Sequence, residues 1–593
     1  MLKDVKTHER NLKLNKNWTF VDFYEGTVDE EPDNLLFIVA EDGSHHTRGQ
    51  IDKEANELAA WARSLNLKQR DTVALMMFNK PDFFAFWLGM AKVGVSTGLL
   101  NTNLTGKSLL HSVELAVKDS ENKVFVVDND VMEGMAAEIP QLEALGIRIF
   151  SWDQARAESL KLGSSQRPQR EERSEITDTD TLILIYTSGT TGMPKASKIS
   201  HTRYYNGGSM MKRFCYLKPG DRQYCCLPLY HSAGGVIGLS GALKSGSTMV
   251  LRRKFSARSF TPDCLKYNCV ATQYIGELCR YLLNAPANSD DSKLQLKFAL
   301  GNGMRPDVWV KFMERYKIGR IVEFYGATEG NFSLFNSTGR VGSLGFLPSI
   351  FRGLIVCEPL RFSVNPEQKD TPLRDSNGFC SACDYGEVGL VVNLVNRKAK
   401  GIGRFEGYTD SSASSKKMLT HVFKEDDMYF NSGDLLSMDN LGFFYWSDRV
   451  GDTFRWKGEN VATSEVEAVI VTVPGLADAT VYGVEIPNCD GRAGMLSVKL
   501  QDGVTFETMD WKRYHNDCVA NLPVYSRPVF IRIRSEMKVT TTFKHQKNDL
   551  VKEGFNPDSV NGDQIYLYST KDGNLTLLDK KLYESITTGE VKV

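Results

Sequence analysis

Leu182-Ile183-Leu184-Ile185-Tyr186-Thr187-Ser188-Gly189-Thr190-Thr191-Gly192-Met193-Pro194-Lys195 passes from an apolar, β-type run into a loop of glycines and hydroxyls that ends on a lysine. Glycine tolerates φ > 0 and carries no side chain, so backbone N–H groups of such a loop can approach phosphate oxygens closely. Ser188, Thr190 and Thr191 add hydroxyl donors, and Lys195 adds a mobile positive charge. The spacing GxxxxGK[ST] of a Walker loop is absent. A polar turn between core elements would account for two glycines but not for this density of donors. The stretch is read as a strand followed by a phosphate loop.

The flanking sequence repeats a strand–helix rhythm. Residues 51–65 carry apolar positions at helical spacing, 72–77 read as a strand, 82–93 as a helix and 123–127 as the next strand. Such alternation implies α/β architecture with a parallel-rich sheet covered by helices. Residues 161–178 are polar and charged and are expected to form an exposed linker. Glycine-punctuated strands over about 361–436 suggest a β-rich subdomain. After Trp446 comes Asp448-Arg449-Val450-Gly451-Asp452, with glycine at its centre, then a helix over 464–471 and a strand over 480–483. A hinge is expected at 448–452, dividing a large N-terminal domain (1–447) from a small, mobile α+β domain (453–593).

A chain of 593 residues, 41% apolar and 24% charged, has ordinary globular composition and is long enough for several subdomains. Its formal charge of −1 gives no electrostatic case for nucleic acid. Eleven scattered cysteines, with Cys225 and Cys226 adjacent, argue against a secreted disulfide framework. Cys380-Ser-Ala-Cys383, without a second pair, reads as a loop feature in a reducing compartment. The amino terminus has no signal-peptide core, and 83–100 reads as a buried helix leading into a strand rather than a membrane span. The last residues are not a peroxisomal SKL tail. An intracellular protein is expected, in the cytoplasm or at the cytosolic face of the endoplasmic reticulum, peroxisome or plasma membrane.

Four further motifs suit a nucleotide and an acyl group. In Phe324-Tyr325-Gly326-Ala327-Thr328-Glu329-Gly330-Asn331, Tyr325 can stack on a base, Thr328 can donate to phosphate and Glu329 can ligate Mg²⁺, which favours one or two carboxylates plus substrate phosphates. In Asn431-Ser432-Gly433-Asp434, the carboxylate can accept ribose hydroxyls. In Tyr230-His231-Ser232-Ala233-Gly234-Gly235, His231 either is satisfied inside a helix start or positions a carboxylate or gates a thiol. Lys544 stands in Thr541-Thr542-Phe543-Lys544-His545, where lysines are usually solvated.

The string YTSGTTGMPK resembles the signature of the adenylate-forming enzymes: acyl-CoA synthetases, luciferases and peptide-synthetase adenylation domains. Arg203-Tyr204-Tyr205, EFYGATEGN at 323–331, DRVGDTFRWKGENVATSEVE at 448–467, VYGVEIP at 481–487 and TFKHQKNDLVKEGF at 542–555 resemble one branch of that superfamily. That branch is the fatty acid transport proteins, or very-long-chain acyl-CoA synthetases. The resemblance implies that Tyr186, Thr187, Ser188, Gly189, Thr190, Thr191, Gly192 and Lys195 hold ATP phosphates, and that Gly301, Asn302, Gly303, Tyr325 and Gly326 flank adenine. It implies Thr328 and Glu329 at phosphate and magnesium, Asp434 and Arg449 at ribose, and Lys457 and Gly458 on the side presented to coenzyme A. Lys544 matches the lysine that contacts the acyl carboxylate and α-phosphate. Thr541 replaces the family's usual glycine, and the apolar anchoring segment of many animal members is not found.

The implied activity is ligation of a long- or very-long-chain fatty acid to coenzyme A through an acyl-adenylate, with ATP, Mg²⁺ and coenzyme A as the small molecules involved. A synthetase for a bile acid, a carnitine-like acid or an aromatic acid is an alternative, as is an uptake or binding protein in which nucleotide turnover is incidental. Exposed apolar surface could still dock the protein peripherally on a membrane. Chain length and oligomeric state are not legible.

Overall fold

The computed structural model describes residues 18–593 except 188–192, 353–356, 363–370, 397–403, 458, 488, 490, 538, 540–546, 561 and 592. Two compact units emerge. One comprises Met1–Leu347, Asn393–Leu419 and Met428–Phe430, the other Pro348–Val392, Thr420–Asp427 and Asn431–Val593. Residues 348–392 and 431–447, which the sequence reading assigned to the large domain, therefore group with the C-terminal residues.

The first unit holds two parallel-rich sheets. Its strands, in chain order, are β1 (Leu35–Val39), β2 (His45–Thr47), β3 (Thr72–Met76), β4 (Ser96–Leu100), β5 (Val124–Val127), β6 (Arg148–Ser151), β7 (Thr181–Thr187) and β8 (Lys195–Ser200). They continue as β9 (Arg222–Cys225), β10 (Thr248–Leu251), β11 (Ala271–Ile275), β12 (Phe298–Asn302), β13 (Arg320–Gly326), β14 (Ser333–Asn336) and β15 (Ser343–Phe346). One sheet has the order β6-β5-β3-β4-β7-β8 and the other β14-β13-β12-β11-β9-β10-β1-β2. Pairing is parallel except for β7–β8, β13–β14 and β1–β2. The apolar runs of β3, β4, β5 and β7 are buried almost throughout, as expected for parallel strands covered on both faces.

The helix predicted over 51–65 is Arg48–Ser64, started by a Thr47–Gln50 capping box. Residues 83–100 form a buried helix, Pro81–Lys92, and then β4. Among the described residues no helix is long and apolar enough to cross a membrane.

The stretch 161–178 differs from the exposed linker expected of its composition. It contains a short 3₁₀ turn, Arg170–Arg173, and Arg173 is only 3% exposed. Arg173 pairs with Asp22 at 3.2 Å and Glu25 at 2.7 Å, while Arg167 reaches Asp29 at 2.9 Å. A run of charges looked solvated because its acidic partners lie more than a hundred residues earlier in the chain.

Next in the chain come β16 (Cys357–Leu360), β17 (Val388–Leu394), β18 (Met418–Thr420), β19 (Met428–Met438) and β20 (Phe443–Arg449), ordered β20-β19-β17-β16 with β18 also on β19; β16, β20 and most of β17 and β19 belong to the second unit. A hairpin follows, β21 (Phe454–Trp456) with β22 (Glu459–Val461). The remaining strands are β23 (Leu476–Glu485), β24 (Arg492–Leu500), β25 (Phe530–Ile533), β26 (Gln564–Tyr568) and β27 (Leu575–Leu577), forming one sheet in that order. The helices Thr463–Ile470 and Trp511–Asn521 bury Val466, Ile470, Tyr514 and Cys518 in its core. The helix and strand expected after 448–452 are thus both present. Cys380 and Cys383 are buried, and among the described residues no group of three or more His, Cys, Asp or Glu side chains could hold a metal.

Candidate functional site

The phosphate loop leaves β7 at Thr187 and returns as β8 at Lys195, and these two residues face each other across the antiparallel pair. Ser188, Gly189, Thr190, Thr191 and Gly192 lie outside the described residues, so their part rests on the resemblance. Tyr186 turns its side chain into the sheet's core. Its hydroxyl donates to the Ser112 carbonyl at 2.8 Å and its ring joins the sheet's core, so burial pushes the phenol far above its usual range. Its share in a phosphate site is confined to its backbone.

Glycine is required at the end of β12. A Cβ at Gly301 would lie 2.1 Å from the Tyr274 carbonyl oxygen, and Gly303 turns with φ +77. The turn is held from beneath by Glu323 on β13, buried to 1% exposure, which accepts from the Met304 N–H at 3.0 Å and from the Tyr274 hydroxyl. Burial raises the Glu323 carboxyl to about 8. Sequence reading missed this residue, although a glutamate inside the apolar strand Ile321-Val322-Glu323-Phe324 is a legible anomaly, since buried carboxyls need partners.

β13 ends at Tyr325-Gly326 and gives way to a turn closed by the Gly330 N–H on the Ala327 carbonyl at 3.0 Å. Arg203 fastens that turn, donating to the Gly330 carbonyl at 2.7 Å and the Ala327 carbonyl at 3.4 Å. Thr328 accepts from the Ser232 hydroxyl at 3.2 Å, which ties the turn to the segment carrying His231. That segment enters a wide, π-type helical turn, Ser232–Gly238, where a Cβ on Gly235 would sit 1.9 Å from the Leu229 carbonyl oxygen. The His231 ring packs on Tyr230, ring centres 4.8 Å apart, and the Tyr230 hydroxyl reaches Asn101 at 3.1 Å.

Tyr408 was not singled out from sequence, yet it joins the parts. Its hydroxyl donates to Glu329 Oε1 at 2.7 Å, and Lys195 Nζ, from the register partner of Thr187, lies 5.5 Å from its ring centre. Thr187, Lys195, Thr328 and Glu329, named from motifs well over a hundred residues apart, are thereby brought into one cluster within the first unit. Glu329 is half-buried with one oxygen committed to Tyr408, and it is the carboxylate the cluster offers among the described residues. That fits Mg²⁺ held chiefly by nucleotide phosphates.

In the second unit Asp434 on β19 and Arg449 on β20 are register partners, 3.4 Å apart as an ion pair. The carboxylate is largely buried and the guanidinium half exposed. Gly433, with φ +76, accepts the Val450 N–H through its carbonyl, leading the chain directly into 448–452. Asp448 is buried and accepts from the Thr463 N–H at 2.7 Å and the Thr453 hydroxyl at 2.9 Å. Lys457 is exposed at the tip of the β21–β22 hairpin, its Nζ 5.4 Å from the Trp456 ring centre. Gly458 and Lys544 lie outside the described residues.

Residues 24–350 match the model of the AMP-binding enzyme family, and 465–544 match that of the AMP-binding enzyme C-terminal domain. The chain is 38% identical to human long-chain fatty acid transport protein 1, covering 99% of this chain and 89% of that protein. It is 40% identical to rat long-chain fatty acid transport protein 2, over 92% and 87%. Among solved structures, ATP-bound MatB from Rhodopseudomonas palustris superposes with a TM-score of 0.72 at 19% identity, over 90% of this chain and 98% of that one. The o-succinylbenzoate coenzyme A synthetase of Bacillus subtilis, in complex with ATP and magnesium, gives 0.69 at 20% identity, over 89% and 99%. With its site residues on the strands and turns described and these matches spanning its length, the chain belongs to the AMP-binding enzyme family, in the branch of the long-chain fatty acid transport proteins.

Proposed function

We propose that the protein is an ATP-dependent ligase joining a long- or very-long-chain fatty acid to coenzyme A. The observation that supports this most is the meeting of Glu329 and Lys195 at Tyr408, with Thr187 opposite Lys195 across the strand pair and Thr328 next to Glu329 in the chain. Donors for phosphate oxygens and one carboxylate suit a triphosphate with its metal.

In the first half-reaction the fatty acid carboxylate attacks the α-phosphorus of ATP, and pyrophosphate leaves. No protein nucleophile is needed, so the protein supplies position and charge neutralisation. Lys195, Thr187 and the loop N–H groups hold the phosphates, and Lys544 faces the carboxylate and α-phosphate. Glu329 would hold Mg²⁺, which neutralises phosphate charge. Asp434 would accept the ribose hydroxyls. In the second half-reaction the coenzyme A thiol attacks the acyl carbonyl and AMP leaves, with a rotation about 448–452 withdrawing Lys544.

The direct test is AMP and acyl-CoA production from Mg-ATP, coenzyme A and fatty acids of graded length. Turnover that requires coenzyme A and peaks at long or very long chains is expected. Pyrophosphate release without thioester would point to another acceptor. Uptake of fatty acid is a second reading, favoured by the transport-protein names of the relatives at 38–40% identity. Coupled uptake requires Lys544, whereas a binding role does not.

Two substitutions probe the assignments. Glu329→Gln should raise the Mg²⁺ concentration for half-maximal rate by about tenfold or more, the scale of losing a metal ligand or its support. An unaltered magnesium curve would sink that role. Gly451→Pro should leave acyl-adenylate formation largely intact and slow thioester formation by roughly a hundredfold, since proline fixes φ and restricts the preceding residue. A Cβ at Gly451 meets nothing within 4 Å, so Gly451→Ala is the matched control and should be mild. Normal thioester formation in the proline variant would count against a hinge there.

A further inference from the structure

We propose that Tyr408 is a positioning residue for the metal carboxylate, aligning Glu329 through its hydroxyl and parking Lys195 on its ring. The inference rests on the reading that Glu329 meets the magnesium of ATP, and it deepens that reading by naming what sets the carboxylate's geometry.

Tyr408 is placed by a strap of chain laid along β8. Gly407 accepts the Lys198 N–H at 3.1 Å, the Thr409 N–H donates to the Ala196 carbonyl at 2.9 Å, and Tyr408 bridges to Ser197 in antiparallel fashion. Glu406 accepts from the Ser200 N–H at 3.0 Å and from the Ser200 hydroxyl, anchoring one end. The Tyr408 N–H is taken by the Ser414 hydroxyl at 2.9 Å. Gly407 turns with φ +71, and a Cβ there would lie 2.7 Å from that hydroxyl, so the bend before Tyr408 is specific to glycine. Every backbone polar group of the strap named here is therefore spent on holding the tyrosine in one place.

The side chain is 6% exposed, and its hydroxyl is aimed at Glu329, to which it donates. Committing Oε1 to Tyr408 leaves Oε2 as the metal-facing oxygen and stops the carboxylate from turning. A carboxylate aligned by an outer hydrogen bond binds metal more tightly than a free one, and loss of such support typically weakens affinity by about 10–100-fold. The ring does a separate job, because a lysine ammonium above an aromatic face is attracted by the ring's quadrupole. The ring thus holds the Lys195 ammonium beside Tyr408.

The two roles separate by substitution. Tyr408→Phe keeps the ring and removes the hydroxyl. It should raise the Mg²⁺ half-saturation about tenfold, both in turnover and in calorimetric titration of Mg²⁺ into protein holding a non-hydrolysable ATP analogue. Its kcat at saturating Mg²⁺ should fall far less, and its thermal midpoint should stay near that of the parent. Tyr408→Leu removes the ring as well and should also raise KM for ATP, which the phenylalanine variant should not. In a Glu329→Gln background, Tyr408→Phe should add no further shift, the mark of two groups acting as one. If Glu329→Gln shifts the magnesium curves and Tyr408→Phe does not, the positioning role is overturned while the metal assignment stands. If neither shifts them, the assignment of Glu329 itself falls.

Discussion

Lys544→Ala is expected to slow acyl-adenylate formation by about 10²–10³-fold, the usual consequence of removing one charge-stabilising group aimed at a transition state. Thioester formation from supplied acyl-adenylate and coenzyme A should change only a few-fold. The asymmetry follows from chemistry. In the first half-reaction a carboxylate anion approaches an anionic phosphate, and a cation between them lowers the repulsion as the bond forms. In the second, a thiol meets a carbonyl already activated by its AMP leaving group, and that cation has no comparable task. Three residues on, Lys547 opens the helix Lys547–Glu553 and is anchored to the Thr463 hydroxyl at 2.8 Å and to Glu467 at 3.1 Å, with Asp452 at 3.9 Å. Lys547 is thus fastened beside 448–452, where the turn between half-reactions is proposed. Pyrophosphate release and thioester formation, measured separately, check the prediction. Equal loss in both would remove the role assigned to Lys544.

What could be read beforehand depended on range in sequence. β3, β4 and β7, with the helices between them, announce themselves because their hydrophobic periods are local and their burial on both faces leaves little choice of residue. The cluster's chemical parts, Lys195, Thr328 and Glu329, were legible for a similar reason, since each lies in a short motif whose residue types suit only a few tasks. Tyr408 was not legible. Its meaning comes from Lys195 and Glu329, 213 and 79 residues away, and nothing within Glu406-Gly407-Tyr408 signals either partner. Tyr186 misled for the complementary reason. Strand alternation turns its ring into the core, where its hydroxyl meets the Ser112 carbonyl, so the motif alone did not say which side chains stay free for a ligand.

The stretch 161–178 carries the same lesson into stability. Lys92, at the end of the helix Pro81–Lys92, is wholly buried and pairs with Glu25 at 2.7 Å and Asp52 at 2.9 Å. Arg173 completes the group from the supposed linker, joining Glu25 and the Lys92 carbonyl. Lys92→Met keeps most of the side chain's volume and removes its charge. Glu25 would retain Arg173, but Asp52 would be left with Arg167 at 3.5 Å and the Asn56 amide at 3.2 Å. A carboxylate wholly stranded in a buried site costs about 3–5 kcal/mol because desolvation is no longer offset, and the partners left to Asp52 set the cost below that. The thermal midpoint should drop by several degrees. Lys293→Met, which breaks an exposed pair with Asp290, should barely move it. Scanning calorimetry of both variants decides the matter. An unchanged midpoint in Lys92→Met would mean that the cluster is not the fastening proposed, and that the arginines of 167–173 lie over this surface without holding it.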